Sequence, residues 1–346
     1  MHTIPFEHQN CLDPKLAGGK GHGLAGMAQA GIPVAPGFVA STAVYHEYLI
    51  VTGFQRQLEQ AATSLESIGP AKVSRTAAEI QEFFVTTALP GHLSRAVADA
   101  YQALSAFVGI PEVPVAVRSS ATAEDASGAS FAGEYETYVG LSGFDQVEQH
   151  IRRCWASAFT DRALSYASKI GLSPLDIGMA VVVQKVVRAR AAGVMFTLSP
   201  VTGDRSRIVI ESSYGLGLSV VGGEVTPDRF VVSKVEDGVL ERTLGDKRVE
   251  YLTGQTSRAV EAERLQRLSL SDPEILALAQ LGKKLERMHG CPQDIEFAID
   301  SDLPDGENIV LLQCRPETTW FGKGKREDKQ TPLSVAAAMF AKAGRS

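Results

Sequence analysis

One stretch of the sequence stops an apolar run at an arginine and continues with hydroxyl side chains. Val115–Val117 precede Arg118 directly. The hydroxyl-bearing residues that follow are Ser119, Ser120 and Thr122. A guanidinium group is a planar fork of donors that suits two oxygens of one phosphate, and neighbouring hydroxyls add donors. The alternative is a structural salt bridge from Arg118 to Glu124 or Asp125. An arginine at the end of a buried strand therefore predicts an anion-binding loop.

A glycine-rich segment near the N-terminus, GGKGHGL, carries a lysine in its centre. Glycines let backbone amides approach an anion, and Lys20 can add a point charge. The segment is not a Walker motif, because no Ser or Thr follows the lysine at the required place. A glycine-rich turn with a solvated lysine explains it equally well. The later segment SFAGEYET offers Gly133 for close backbone approach and Thr137 as a donor, although a simple hairpin turn also accounts for it.

Polar residues interrupt or end two apolar strands. Gln184 and Lys185 break the run MAVVVQKVV, where backbone and amide groups can read an adenine edge. An exposed pair on an edge strand is the alternative. Glu211 ends RIVIE just before a glycine turn, and it either binds a ribose hydroxyl or caps the turn.

Two later segments, DIEFAID and LLQCRP, read as facing strands that carry polar side chains at alternating positions. Such a pair would bring Glu296, Gln313 and Arg315 together, with Asp294 two residues away on the same face as Glu296. Carboxylate and amide oxygens suit Mg²⁺, and the guanidinium suits a phosphate. The alternative is a surface salt bridge between the hairpin strands.

These side chains must be positioned by a chain that is helix-rich first and strand-rich later. Hydrophobic spacing predicts helices over about 54–110, 145–170 and 272–290, the last with Gly290 as its C-cap. Ser41 or Thr42 is expected to cap a further helix, and the glycine-rich turn is expected to open a short one. The predicted strands are VAV, MAVVVQKVV, AAGVMFTL, RIVIESSYG, DRFVVSKV, QDIEFAID and NIVLLQCRPET. This order favours α+β or α/β lobes around a cleft.

Composition excludes several classes of protein. The chain has 346 residues, 44% of them hydrophobic, which is enough for two or three lobes. A net charge of -6 argues against nucleic acid or an anionic membrane as the main partner. The four cysteines form no C-x-x-C pair, which argues against a zinc site or a disulfide framework. The first residues lack the pattern of a secretory signal, and no apolar run approaches the roughly 20 residues of a membrane span. We therefore expect a cytoplasmic protein.

Four segments, taken in order, resemble a known family. They are GGKGHGL, then VAVRSSATAED with ASFAGEYETY, then SYGLG with VVGGEVTPD, and finally DIEFAID with LLQCRPET. They resemble the N-terminal ATP-binding domain shared by phosphoenolpyruvate synthase, pyruvate phosphate dikinase and rifampicin phosphotransferase, over about residues 10–320. The resemblance implies an α+β fold of the ATP-grasp type, with a nucleotide cleft between two lobes. We expect an N-terminal lobe with glycine-rich and RSS phosphate loops at 1–190, a C-terminal lobe with a metal-binding hairpin at 191–320, and a tail at 321–346.

The resemblance also implies a role for each candidate residue, with ATP and Mg²⁺ as cofactors. Lys20, Arg118 and Arg315 would bind the phosphates and act in catalysis. Gly133 and Thr137 would lie on a lid loop over the phosphates. Gln184, with Lys185 beside it, would meet adenine, and Glu211 stays the candidate for the ribose. Glu296 and Gln313 would hold Mg²⁺. The sequence departs from the family at Leu218, where an acid usually follows GLG.

Enzymes of this kind transfer the β-phosphoryl of ATP, usually through a pyrophosphoryl-histidine, and leave AMP. None of the seven histidines here lies in the Gly/Ala-rich, strand-to-helix context that suits a phospho-carrier. We therefore predict a partner subunit that carries the phosphorylatable histidine and the site of a small-molecule acceptor. Such a split arrangement resembles phenylphosphate synthase-type enzymes, which phosphorylate phenols or alkylphenols in aromatic catabolism.

Other functions fit the same residues. The chain can instead be the ATP-binding part of a system that phosphorylates pyruvate or an antibiotic. It can be a self-sufficient ATP-grasp kinase or ligase that makes ADP. It can also be a nucleotide-sensing module that binds ATP without turnover. The product formed from ATP distinguishes these alternatives.

Overall fold

The structure is a computed structural model that describes residues 1–65, 70–122, 136–161, 164, 178–253 and 256–320, with only the backbone given for 61–65 and 70–72. The chain forms two compact units. Unit 1 contains Met1–Gly31 and Pro36–Val186, and unit 2 contains Ile32–Ala35 and the chain from Val187 onward. Whether these units are the two predicted ATP-grasp lobes stays a prediction.

Unit 1 is rich in helices and contains one five-stranded antiparallel sheet. The helices are α1 (Pro14–Gln29), α2 (Thr42–Val51), α3 (Phe54–Leu65), α4 (Pro70–Thr86), α5 (Gly91–Val108) and α6 (Phe144–Ser157). The strands are β1 (Thr3–Pro5), β2 (Gly37–Ala40), β3 (Val115–Ala121), β4 (Thr137–Leu141) and β5 (Met179–Lys185), and their order in the sheet is β1-β2-β5-β3-β4. β5 is therefore the central strand.

The two faces of this sheet have different roles because side chains alternate along each strand. Val115, Val117 and Ala121 of β3 join the main hydrophobic core of the unit. That core also contains Trp155 of α6 and an aromatic group on α2 and α4, with Tyr48 and Trp155 ring centroids 5.1 Å apart. The opposite face of the sheet is left for α1 and for the polar residues of β3.

Unit 2 is built on a six-stranded antiparallel sheet. Its strands are β6 (Ala189–Phe196), β7 (Arg207–Tyr214), β8 (Asp228–Ser233), β9 (Val239–Thr243), β12 (Gln293–Asp300) and β13 (Ile309–Pro316), in the order β13-β12-β6-β7-β8-β9. The remaining elements are a two-stranded ribbon of β10 (Val249–Tyr251) and β11 (Ser257–Ala259), two short helices α7 (Leu218–Val221) and α8 (Ala262–Leu265), and the long helix α9 (Asp272–His289).

Helix α9 covers one face of this second sheet. A methyl group added at Gly282 would lie 3.1 Å from the Met195 side chain, so the helix approaches β6 closely. The helix begins with a capping box made by Ser271 and Glu274 and ends at Gly290, whose φ of 69° is left-handed. The predicted C-cap is therefore confirmed. Residues that alternate onto the other face, among them Glu211 and Glu296, point away from α9.

A buried polar network lies beneath the start of α9. Lys247 is fully buried, and its Nζ donates to Asp228 Oδ1. The other carboxylate oxygen of Asp228 accepts hydrogen bonds from the Ser269 backbone at 2.6 Å and from its hydroxyl at 2.7 Å. A buried ion pair is tolerated when its remaining polar atoms are also hydrogen-bonded, as they are here.

The α+β class predicted from the sequence is confirmed, and so are most of the predicted strands. Three local predictions were wrong. The region 145–170 is not one continuous helix: α6 ends at Ser157 and 158–160 form a turn, whereas Asp161 and Leu164 are helical again. Residues 162–163 and 165–177 lie outside the described part of the chain. Ser41 occupies the N-cap position of α2, but its hydroxyl donates to the Met1 carbonyl and so does not cap the helix. The glycine-rich segment breaks the helix only at Gly18, whose φ and ψ are non-helical, and the predicted turn does not extend over the later glycines. The segment lies within α1, which already begins at Pro14 with Asp13 as its side-chain cap.

Candidate functional site

Arg118 lies within a strand rather than at its end. β3 continues to Ala121, with Arg118 opposite Val182 on one side and opposite Thr137 on the other. The loop conformation predicted for the RSS segment is therefore wrong, because these residues pair with β5 and the strand continues through them. Their phosphate-binding role stays a prediction. Arg118 is only 9% exposed. It alternates with Val117, so its side chain lies on the sheet face away from the main core.

Ser120 joins the glycine-rich helix to the strand that carries Arg118. Its hydroxyl donates to the Ala17 carbonyl at 2.7 Å and accepts from the Gly21 backbone at 3.0 Å. The Ser119 hydroxyl donates to the Glu136 carbonyl at 3.1 Å. Both hydroxyl hydrogens are thus used within the chain. The serines after Arg118 position the neighbouring backbone, which differs from their predicted role as phosphate donors.

Gly18 kinks α1 where the helix crosses β3. Its φ of 67° and ψ of 176° are non-helical and accessible essentially to glycine alone. A Cβ at this position would lie 1.9 Å from the Ser120 carbonyl oxygen. The kink sets the helical turn that contains Lys20 directly against the strand of Arg118.

We expect Gly18→Ala to lower the free energy of unfolding by about 2 kcal/mol or more, from backbone strain plus the clash with Ser120. Thermal unfolding measures the change. Gly26→Ala is the matched control on the same helix, because a Cβ there meets nothing within 4 Å. The control is expected to be neutral or slightly stabilising. Equal effects from the two substitutions would contradict the role assigned to the kink.

Lys20 lies near the paired strands β3 and β4. Gly21, the residue after Lys20, donates its backbone N–H to the Ser120 hydroxyl of β3 at 3.0 Å. Burial raises the pKa of the Cys154 thiol, and the ammonium of Lys20 opposes that rise. The Cys154 sulfur lies 3.8 Å from the Val117 carbonyl oxygen and 3.9 Å from that of Glu136. These two carbonyls belong to the residues next to Arg118 and Thr137. Unit 1 therefore brings Lys20, Arg118 and Thr137 into one neighbourhood.

The structure places two of the three remaining candidates of unit 1, and they lie on opposite faces of the sheet. Gln184 lies on the central strand, is 2% exposed and pairs with Ala116, so it shares the sheet face of Arg118. The alternative of an exposed edge-strand pair does not apply to it. Lys185 pairs with Val115 and alternates onto the opposite face. Gly133 lies outside the described residues.

In unit 2 the predicted hairpin is confirmed, and it places four polar side chains on one face. Glu296 is directly opposite Gln313, and Asp294 is directly opposite Arg315. Arg315 donates from Nε and Nη2 to Asp294 Oδ2, at 2.9 and 2.7 Å. Burial raises the pKa of Asp294, while the Arg315 charge opposes that rise. A hairpin salt bridge is thus present, but it engages Asp294 and leaves Glu296 facing the amide of Gln313.

Glu211 lies in the same cross-strand row as this pair. The register runs from Gln313 through Glu296 and Val194 to Glu211, and residues directly opposite share one face. Two strand spacings put Glu211 about 10 Å from Glu296. Burial raises the pKa of Glu211, and the nearby Arg229 charge opposes the rise.

Arg229 is a site residue that the sequence analysis missed. It is directly opposite Glu211 on β8 and also bonds Glu241 at 3.2 Å. Its pairing with Glu211 becomes visible only with the strand register. It adds a cation to the face that carries Glu211 and Glu296.

The glycine turn after β7 is shaped by packing. Gly215 has a φ of 71°, and a Cβ there would lie 2.4 Å from the Tyr251 carbonyl oxygen. Leu218, at the position where an acid was expected, begins the short helix α7. Within the described residues, no group of three or more His, Cys, Asp or Glu side chains is arranged to hold a metal ion. None of the helices described by the structure has the length and apolar character needed to cross a membrane.

Comparisons with known proteins agree with the motif resemblance. A family profile described as "Pyruvate phosphate dikinase, AMP/ATP-binding domain" matches residues 14–335. Phosphoenolpyruvate synthase of Aeropyrum pernix is 41% identical over 93% of this chain and 43% of its own length. A probable phosphoenolpyruvate synthase of Methanothermobacter thermautotrophicus is 41% identical over 91% of this chain and 46% of its own length. The chain thus spans less than half the length of these curated relatives.

Among solved structures, D-alanyl-alanine synthetase A of Vibrio cholerae aligns with 72% of this chain and 52% of its own, at 16% identity and a TM-score of 0.29. A likeness this weak carries no argument about the fold. The sequence comparisons decide the family, because the profile covers nearly the whole chain and includes every candidate residue. The chain belongs to the family of the pyruvate phosphate dikinase AMP/ATP-binding domain.

Proposed function

We propose that this chain binds Mg²⁺·ATP and supplies its β-phosphoryl group to a histidine, in a system that phosphorylates pyruvate and releases AMP and phosphate. The observation that carries the proposal is the family match over residues 14–335, together with relatives named phosphoenolpyruvate synthase. These names support the pyruvate alternative better than the phenol interpretation. No observation on the described residues favours a phenol or alkylphenol as the acceptor.

Unit 1 supplies the phosphate and adenine contacts in this proposal. Lys20 and Arg118 neutralise phosphate oxygens, and Thr137, directly opposite Arg118, donates a hydroxyl hydrogen to them. Gln184 shares the sheet face of Arg118 and reads the adenine edge. Gly133 keeps its proposed place in a lid over the phosphates, and Lys185 is the weakest candidate because it alternates onto the other face.

Unit 2 supplies the oxygen ligands for the metal. The carboxylate of Glu296 and the amide of Gln313 lie directly opposite each other. Mg²⁺ usually takes one or two protein oxygens and keeps the rest of its shell for water and substrate phosphates, so this donor set fits the ion. Arg315, oriented by Asp294, holds a phosphate, and Glu211 holds the ribose. When bound, the ion adds positive charge beside the phosphates.

The chemistry assigned to these residues is mainly electrostatic. In phosphoryl transfer the protein contributes mainly by positioning the reactants and stabilising charge. The attacking and leaving oxygens must be held in line. Fixed cations lower the barrier by stabilising the charge that spreads over the transferred group. Lys20, Arg118 and Arg315 provide that charge. They bind and orient ATP without accepting the phosphoryl group themselves.

The acceptor histidine is proposed to come from outside this sequence, with a partner subunit as the expected carrier. Three histidines in the described part of the chain make structural contacts. His2 and His92 both bond Glu47, at 2.8 and 2.6 Å, and His22 bonds the Leu12 carbonyl at 2.9 Å. The relatives are more than twice as long as the part that this chain matches, which leaves room in them for a histidine segment and an acceptor site.

The product formed from ATP tests this function. The chain is mixed with Mg²⁺·ATP, pyruvate and the remaining segment of the Aeropyrum pernix relative, and products are followed by phosphorus NMR. We expect AMP, phosphate and phosphoenolpyruvate only when both polypeptides are present. ADP made by the chain alone would instead support a self-sufficient kinase. Absence of AMP and phosphoenolpyruvate from the mixture of both polypeptides would contradict the proposed function.

A further inference from the structure

Unit 2 contains a cavity of about 380 Å³ whose wall carries four guanidinium groups. The arginines are Arg188, Arg190, Arg258 and Arg264. Among the residues that the structure describes, one carboxylate, that of Glu250, lines the same cavity, and Leu216 and Leu252 give it an apolar wall. None of these residues was assigned a role in nucleotide binding. The cavity therefore needs its own explanation.

The cavity is separate from the face that carries the proposed metal ligands. Arg190 donates to Glu274 at 2.5 Å and to the Ser269 carbonyl at 2.8 Å, both at the start of α9. Helix α9 packs on the face of Met195. Glu296 and Glu211 pair with Val194, the next residue of β6, and so alternate onto the opposite face.

Part of this arginine group is rigidly held. Glu250 is 2% exposed, and its two oxygens accept from Arg264 Nη1 at 2.8 Å and Arg264 Nη2 at 2.9 Å. The Arg264 guanidinium also lies 4.2 Å from the centroid of the Tyr214 ring, which limits its motion further. A preorganised cation binds an anion without first losing side-chain entropy.

Two of the guanidinium groups retain hydrogen-bond donors. An arginine has five N–H donors. Within the described part of the chain, Arg258 uses only Nε, which donates to Glu250 at 2.7 Å. Arg188 has a single contact to those residues, from Nη1 to Asp302 at 3.5 Å. Their side chains are 55% and 75% exposed, so a ligand in the cavity can reach them.

The local charge is positive in a chain whose net charge is -6. The four positive charges of the arginines exceed the three negative charges near them. These are Glu250 in the cavity wall, Glu274, which contacts Arg190, and Asp302, which contacts Arg188. Planar guanidinium forks suit the paired oxygens of phosphate and carboxylate groups. We propose that this cavity is a binding site for a small oxyanion, of the phosphate or carboxylate class, distinct from the nucleotide site.

The test is calorimetric titration of the full chain with inorganic phosphate and, separately, with succinate. The double substitution Arg188→Gln with Arg258→Gln removes the two charges with unused donors and leaves the Arg264–Glu250 pair intact. We expect saturable binding of at least one anion, weakened about tenfold or more in this variant, since each lost charge-assisted bond is worth a factor of that order. The anion that binds tells the phosphate class from the carboxylate class.

A control variant distinguishes this cavity from other cationic surfaces of the unit. Arg248→Gln removes an exposed arginine of the same unit that bonds Asp246 and does not line the cavity. It is expected to keep wild-type anion affinity. The proposal is overturned if neither anion saturates, or if the double variant binds as tightly as wild type. The second outcome would place the bound anion outside this cavity and leave the proposed function standing.

Discussion

Replacing Glu296 by glutamine is expected to lower Mg²⁺-dependent turnover of ATP about a hundredfold or more. The substitution keeps the size of the side chain, but it replaces one carboxylate oxygen by an NH₂ donor and removes the charged ligand proposed for the ion. Changing a residue that only orients a metal ligand typically lowers metal affinity or activity by a factor of about 10 to 100. Loss of the ligand itself is therefore expected to lower activity further. The measurement is AMP release from the mixture of this chain with the remaining segment of the Aeropyrum pernix relative, over a range of Mg²⁺ concentrations.

Glu307→Gln is the matched control for this substitution. Glu307 is exposed in the turn that joins β12 to β13, so the same chemical change is made in the same hairpin away from Gln313. It should leave turnover and its Mg²⁺ dependence unchanged. A fully active Glu296→Gln variant would show that the metal ligands lie elsewhere, even if ATP still binds.

Replacing Arg118 by methionine is expected to weaken ATP binding by about two orders of magnitude or more. Arg118 is 9% exposed, and a buried charge that bonds a ligand typically contributes a few kcal/mol to its binding. Methionine fills a comparable volume, so the sheet face against α1 stays packed while the charge is lost. Calorimetric titration with ATP gives the affinity, and thermal unfolding of the same sample shows whether the fold is kept.

Arg75→Met serves as the control for Arg118. Arg75 lies on α4 of the same unit, is 81% exposed and pairs with Glu79. Removing its charge should not change ATP affinity. If a well-folded Arg118→Met variant bound ATP as tightly as wild type, Arg118 would have no role in holding the phosphates. The role that the motif resemblance implies for this residue would then be wrong.

The elements that the sequence predicted well are those with a simple periodic pattern. QDIEFAID and NIVLLQCRPET alternate apolar and polar residues on either side of a turn-rich segment, and they form the hairpin that pairs Glu296 with Gln313. Helix α9 has a capping box before it and a glycine after it, and it ends as expected. Local patterns of this kind need no knowledge of the rest of the chain.

The elements predicted wrongly depend on distant partners. Arg118 looked like the end of a strand because polar residues follow it, but pairing with β5 extends the strand to Ala121. The glycines of GGKGHGL suggested a turn, whereas Gly18 allows a helix to lie against the Ser120 carbonyl, 102 residues later in the chain. No local pattern announces such a contact.

Side chains that act through long-range pairing were invisible for the same reason. Arg229 joins the face of Glu211 only through the register of β7 and β8. The buried pair of Lys247 and Asp228 joins residues 19 positions apart, and Ser269 completes it from 41 positions beyond Asp228. A lysine in a polar connecting segment gives no sign that it will be fully buried.

We propose that Lys20, Arg118 and Glu296 all take part in binding Mg²⁺·ATP. Calorimetric titration of the chain with ATP, with and without Mg²⁺, tests it most directly. We predict one saturable site that tightens when Mg²⁺ is present, weakens in Arg118→Met under both conditions, and loses its Mg²⁺ dependence in Glu296→Gln. An absence of saturable binding, or the same Mg²⁺-dependent affinity in wild type and both variants, would contradict the claim.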